Sequence, residues 1–73
     1  MIVTLQNGND TRTYNEPHIK QVGIACAVCM REKYTGKQFE CGRYLEAARA
    51  RGIVYEMNYA YSKGMKYFDI PVK

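Results

Sequence analysis

Strict alternation over residues 53–61 constrains the fold of this 73-residue chain more than any other feature of its sequence. Large apolar or aromatic residues occupy every second position, namely Ile53, Tyr55, Met57, Tyr59 and Tyr61. A period of two indicates a β-strand with two different faces. Lys63 and Gly64 follow, and a glycine tolerates the positive φ of a two-residue hairpin turn. The sequence therefore predicts a C-terminal β-hairpin that pairs Tyr59 with Phe68.

The N-terminal segment "IVTLQNGNDTRTY" predicts a second β-hairpin. Val3 and Leu5 alternate with polar residues, and "NGND" is rich in turn-forming residues. A four-residue loop would pair Val3 with Tyr14, whereas a two-residue turn at Asn7-Gly8 would pair Val3 with Arg12. We favour the longer loop.

The middle of the chain shows helical spacing. Apolar or small residues recur at intervals of three and four from Ile19 to Met30, after Asn15 as a candidate N-cap and before Gly36 as a candidate helix end. A second stripe contains Cys41, Tyr44, Leu45 and Ala48 and ends at Gly52. We therefore predict one α+β domain over residues 1–73. Two β-hairpins form a small antiparallel sheet, and one or two helices from about residues 16–52 pack on one face.

The three cysteines allow two interpretations. In the helix, Cys26 and Cys29 lie on the buried stripe, and a free cysteine behaves there as a small apolar residue. Alternatively, Cys26, Cys29 and Cys41 bind zinc with His18, the only histidine, as fourth ligand. We favour packed thiols over zinc and over redox or catalytic thiols, and we expect no cofactor.

The zinc alternative has a structural precedent. Residues 26–45 resemble a treble-clef zinc finger, with a knuckle at Cys26–Cys29, a hairpin turning at Thr35-Gly36 and Cys41 at a helix start. The resemblance implies a small structural zinc-binding module. The chain departs from that pattern at Tyr44 and Leu45, where a second helix-borne ligand is expected.

A basic excess is concentrated in the middle third of the chain. The net charge is +4, and residues 31–51 hold six cations and three glutamates, which gives +3. The six cations are Arg31, Lys33, Lys37, Arg43, Arg49 and Arg51. Such a segment suits a polyanionic partner such as nucleic acid, but we favour a solvated helix surface, because a basic excess this modest is common on soluble domains.

The sequence lacks the marks of a membrane or secreted protein. It contains no apolar run near ~18 residues and no basic segment followed by an apolar stretch at its start. An odd number of cysteines also argues against a disulfide framework. We expect a cytoplasmic, intracellular protein in a reducing setting, without membrane contact.

The remaining features favour binding over catalysis. His18 has no nucleophile at a recognisable spacing, and Glu40 and Glu46 would not share a helix face. Tyrosine is favoured at binding surfaces, and Tyr67 is the best candidate for an exposed aromatic among seven tyrosines.

We therefore expect a non-enzymatic regulator or inhibitor that binds and occludes a protein partner. Its basic, tyrosine-rich composition is similar to that of small inhibitors encoded by phages and mobile elements, which implies a target in nucleic-acid-handling machinery. The alternatives are direct nucleic-acid binding through residues 31–51 and a structural zinc module. A homodimer is also possible.

Overall fold

Five strands and one helix form the protein in a computed structural model, which describes residues 1–6 and 11–72. In chain order the elements are β1 (Ile2–Thr4), β2 (Thr11–Val22), β3 (Ala25–Glu32), β4 (Gln38–Tyr44), α1 (Ala47–Ser62) and β5 (Tyr67–Asp69). The sheet order is β4-β3-β2-β1-β5, and only the β1–β5 pair is parallel. The helix packs on one face of this sheet, so the predicted α+β class is confirmed.

Residues 16–34, which we predicted to be helical, instead form most of the β2–β3 hairpin. Val22 pairs with Ala25 across a two-residue turn in which Gly23 has φ +58°. Glycine at the first turn position with positive φ suits a type II′ turn, which matches the twist of the flanking strands. Consecutive residues 25–30 are all buried, on both faces of β3, so apolar spacing there could not distinguish a helix from a central strand.

The second predicted helix is also wrong over its first half, because residues 38–44 form β4. The β3–β4 connection is held by Glu32, whose carboxylate accepts hydrogen bonds from the backbone N–H groups of Tyr34 (3.4 Å) and Thr35 (2.9 Å). Gly36 takes φ +70° in the same connection. A hairpin therefore does turn near Thr35-Gly36, as the zinc-finger alternative proposed, but Cys41 lies in a strand and not at a helix start.

The predicted C-terminal hairpin is wrong, since the whole of its first strand, residues 53–61, lies within α1. The helix buries Ala50, Ile53, Met57 and Ala60 at intervals of three and four residues. Burying Ile53 and Met57 contributes roughly 1.5–3 kcal/mol each. Within residues 1–6 and 11–72, no helix is long and apolar enough to cross a membrane.

Gly64 ends the helix instead of forming a hairpin turn. Its φ is +74°, the positive value that the predicted hairpin turn also needed. The backbone N–H of Met65 donates to the carbonyl of Ala60 (3.0 Å), and that of Gly64 donates to Tyr61 (3.0 Å). These two bonds are the Schellman pattern, which uses a left-handed glycine just beyond the last helical turn. The chain then reverses into β5.

The N-terminal hairpin is present with the register that we did not favour. Val3 pairs with Arg12 and Ile2 with Thr13. The pairing of Val3 with Tyr14 is therefore wrong, and the alternative register is confirmed. The turn predicted at Asn7-Gly8 lies outside the described residues. Tyr14 still reaches the core, where Phe39 contacts it edge to face with ring centroids 5.9 Å apart.

The sheet curls until the end of β1 approaches β4. The backbone N–H of Gln6 donates to the carbonyl of Cys41 (2.8 Å), and the Gln6 side chain accepts from the backbone N–H of Arg43 (2.9 Å). Ile70 packs against Gly42 on the inside of this closure, and the Tyr44 hydroxyl donates to the carbonyl of Pro71. The curl encloses one core between the sheet and α1.

Candidate binding surface

Two adjacent depressions lie where the last turns of α1 meet the start of β1. The first has a volume of about 340 Å³ and the second about 500 Å³, and both are lined by Met1 and Tyr61. We call their combined lining the methionine–tyrosine surface. Its members are Met1, Ile2, Tyr14, Asn15, Glu16, Pro17, Met30, Met57, Asn58, Tyr61, Gly64, Met65, Lys66 and Tyr67.

All four methionines of the chain belong to this surface. Met30 and Met57 are buried at its floor, whereas Met65 is 54% exposed at its rim. A thioether side chain has three rotatable bonds and a polarisable sulfur, so it adapts to differently shaped partners. Methionine at both floor and rim therefore gives a surface that can reshape around an apolar ligand.

Tyr61 and Tyr67 add exposed aromatic area to the same surface. Their side chains are 63% and 65% exposed. Tyr61 lies in the last helical turn, and the parallel pairing of Tyr67 with Ile2 places the second ring beside β1. Our expectation that Tyr67 is exposed is confirmed, and the residue lies on the edge strand β5.

The outer face of α1 exposes two further tyrosines. Tyr55 is 72% exposed and Tyr59 is 56% exposed, whereas the predicted strand would have placed both on its apolar face. Arg51 and Lys63 lie four residues before and after this pair, and the Lys63 Nζ is 5.5 Å from the centroid of the Tyr59 ring. We call Arg51, Tyr55, Tyr59 and Lys63 the cation–tyrosine ladder.

The six cations of residues 31–51 are all exposed and are spread over two strands, a connection and the helix. Arg31 lies in β3, Lys33 and Lys37 in the β3–β4 connection, Arg43 in β4, and Arg49 and Arg51 in α1. The Arg31 Nε lies 3.2 Å from a Glu16 oxygen, and an Arg43 nitrogen lies 2.8 Å from a Glu40 oxygen. Glutamates thus offset part of the basic excess on the strands.

The proposed zinc ligands do not converge. Cys26 packs in the core below α1, and Cys29, three residues along the same strand, points to the opposite face of the sheet. One tetrahedral ion cannot take both thiolates from opposite faces of a strand. Within residues 1–6 and 11–72, no three His, Cys, Asp or Glu side chains are grouped for metal binding.

His18 lies in β2 and is already engaged by neighbouring polar groups. Its Nδ1 is 2.8 Å from the Glu16 carbonyl oxygen, and its Nε2 is 3.2 Å from the Gln38 Oε1. Its strand neighbour is Cys29, with Glu40 on the other side of that cysteine. His18, Cys29 and Glu40 are aligned in this way after a β-bulge between Asn15 and His18, where Glu16 has φ +59°.

The three thiols are free and buried, which confirms that they pack in the protein interior. Burial, reinforced by the nearby Glu40 carboxylate, raises the pKa of Cys29. Burial together with the neighbouring Cys29 raises the pKa of Cys41 to about 12. A nucleophilic cysteine requires a lowered pKa and partial exposure, so the environments of Cys29 and Cys41 do not activate these two thiols.

Little in the sequence predicts the methionine–tyrosine surface. Four methionines and seven tyrosines could be counted, but nothing in their spacing indicates that Met1, Met57 and Met65 converge. Comparison with known proteins adds no assignment, because the chain matches no protein-family model, no curated protein and no solved structure.

Proposed function

We propose that the protein is a small, non-enzymatic regulator or inhibitor that binds a protein partner through the methionine–tyrosine surface and occludes it. The observation that carries this proposal is the convergence of all four methionines with exposed Tyr61 and Tyr67 at one end of the molecule. Aromatic residues and methionine are enriched at protein interfaces.

The exposed side chains of this surface are suited to a few strong contacts. Tyrosine offers a large area and a hydroxyl at low entropic cost, and truncating such a residue at an interface centre costs about 2 kcal/mol or more. Lys66 adds a cation at the rim, so a partner with an acidic group beside an apolar one fits best. Occlusion requires no catalytic group, which agrees with the raised pKa values of Cys29 and Cys41.

The alternative of nucleic-acid binding through residues 31–51 has weaker support. Two of its six cations, Arg31 and Arg43, face glutamates at ion-pair distance. The others are divided between the β3–β4 connection and α1, so no single element presents all six cations. A target in nucleic-acid-handling machinery, a phage-like origin and a reducing, cytoplasmic setting rest on composition alone and remain part of the proposal.

The test compares partner capture by matched variants. Immobilised wild-type protein, Tyr61→Ser and Tyr67→Ser are exposed to a lysate of the native host, and captured proteins are quantified by mass spectrometry. Ile24→Ser is the control, because Ile24 is 86% exposed in the β2–β3 turn and lines none of the depressions. Circular dichroism verifies folding of each variant.

The expected result is a protein retained by wild type and Ile24→Ser but lost from both tyrosine variants. Equal retention by all four proteins would contradict the proposal. Light scattering on the purified chain determines whether the surface instead pairs two copies. A dimer that Tyr67→Ser dissociates would assign the surface to self-association.

A further inference from the structure

We propose that the cation–tyrosine ladder on the outer face of α1 binds single-stranded nucleic acid, with bases stacked on Tyr55 and Tyr59 and phosphates on Arg51 and Lys63. This activity uses a different set of residues from the methionine–tyrosine surface and does not depend on the proposed function. It also differs from binding through residues 31–51, of which it uses only Arg51.

The ladder repeats every four residues along α1, and its last member, Lys63, is the C-cap of the helix. A helix rises about 1.5 Å per residue, so consecutive members are separated by about 6 Å along the axis. The side chains at such positions are neighbours on the helix surface. The two adjacent aromatic rings therefore lie between one cation on the N-terminal side and one on the C-terminal side. An extended polyanion with planar bases can use this arrangement, with its phosphates at the cations and its bases on the rings.

Neighbouring residues leave the ladder open. Ala48 and Gly52 are exposed on the same part of the helix surface, and a Cβ at Gly52 would meet no other atom within 4 Å. Tyr55 is the most exposed tyrosine of the helix. Lys63 contacts the Tyr59 ring but is itself exposed, so its ammonium group remains accessible.

Stability does not explain the two tyrosines. The buried face of α1 consists of Ala50, Ile53, Met57 and Ala60. Tyr55 and Tyr59 are outside it, and tyrosine has a lower helix propensity than alanine, lysine or glutamate. Two aromatic rings on the solvent side of a short helix therefore require another explanation, and ligand contact provides one.

The charges around the ladder favour an anionic ligand. Within residues 1–6 and 11–72, neither Arg51 nor Lys63 forms an ion pair with a carboxylate. Glu56 is the one acidic residue within the span of the ladder, and the whole chain carries +4. An acidic protein surface would satisfy the two cations but leave the ring faces uncovered. Single-stranded nucleic acid supplies both phosphates and unpaired bases, whereas a duplex hides its base faces.

The binding test uses the full chain and a fluorescein-labelled oligothymidylate of about 15 nucleotides, followed by anisotropy at about 50 mM and about 200 mM NaCl. Two phosphates contacted by two cations give a log–log salt slope of about −1.4 on a single strand. Tyr55→Leu and Tyr59→Leu keep a helix-compatible apolar side chain but remove the aromatic ring, and each should weaken binding roughly tenfold. Arg51→Gln should reduce the slope by about 0.7.

Tyr34→Leu is the matched control, because Tyr34 is an exposed tyrosine beside Lys33 in the β3–β4 connection and lies outside the ladder. It should bind the oligonucleotide as wild type does, and Tyr67→Ser should do so as well. Absence of binding at low salt would overturn the proposal, as would unchanged affinity in the two leucine variants. Equal binding of a duplex of the same length would also overturn it, and equally effective competition by poly-L-glutamate would assign the ladder to acidic proteins instead.

Discussion

Two glycine-to-alanine substitutions should change stability in opposite directions, because Gly52 and Gly42 occupy opposite environments. Gly52 lies inside α1, is exposed, and would place its new Cβ in open space. Alanine is favoured over glycine by about 1 kcal/mol in a helix interior, so Gly52→Ala should raise the free energy of unfolding by about that amount. For a domain of this length, 1 kcal/mol corresponds to roughly 4–8 °C in Tm.

Gly42→Ala should be destabilising although it adds the same methyl group. The new Cβ would lie 2.8 Å from the Ile70 Cγ2 and 3.0 Å from the Tyr44 hydroxyl. Carbon atoms pack favourably at about 3.5–4.0 Å, so one of these groups has to move. Ile70 is buried and its backbone N–H donates to Thr4 (2.9 Å), which opposes such a movement. Overpacking of this kind costs about 1–3 kcal/mol.

Urea unfolding monitored by circular dichroism at about 20 °C measures both changes against wild type. Gly64→Ala is the internal control, because its φ of +74° imposes the left-handed conformation and alanine there should cost about 1–2 kcal/mol. A neutral Gly42→Ala would show that Ile70 does not pack against β4 as described. A destabilising Gly52→Ala would refute the assignment of this segment to a helix.

Three further predictions concern the helix start and the thiols. Glu46→Asp should raise the free energy of unfolding by about 1 kcal/mol in the same urea assay, because Glu46 is the N-cap of α1 without a side-chain capping bond and the shorter carboxylate can make one. Native mass spectrometry should give the bare polypeptide mass in the presence of zinc, and one bound zinc lost with Cys26→Ser would contradict the packed-thiol interpretation. The pKa of Cys41 is raised from 9.0 to about 12 in the folded protein, so its stabilising contribution is complete below pH 9 and is lost between pH 9 and 12. Cys41→Ala should therefore show a shallower loss of stability over that interval than wild type, and an identical pH profile would exclude a contribution from this thiol.

The α+β class could be predicted because it requires only that the chain contain both strand-forming and helix-forming segments. The order of the elements could not be predicted, because it depends on which of these segments form strands and which forms the helix. The β3 segment "ACAVCM" is apolar at every position, and it is buried on both faces as a central strand. A continuous apolar run is compatible with both a helix and such a strand. Gly23 lies within the segment predicted to be helical, but its positive φ marks the hairpin turn. Turn chemistry was therefore the more informative signal in the middle of the chain.

The same ambiguity between helix and strand explains why the sequence did not predict the exposure of Tyr55 and Tyr59. Here a helix was predicted to be a strand. Residues 53, 55, 57, 59 and 61 satisfy a period of two, while Ala50, Ile53, Met57 and Ala60 satisfy a period of 3.6. The two patterns share Ile53 and Met57, and both are fully buried. They differ at Tyr55 and Tyr59, which a strand would bury and the helix exposes. A period-two assignment puts these rings on the apolar face of a strand, so the cation–tyrosine ladder can be identified only from the helix. Gly64 favoured neither pattern, because a hairpin turn and a Schellman helix end both require its positive φ.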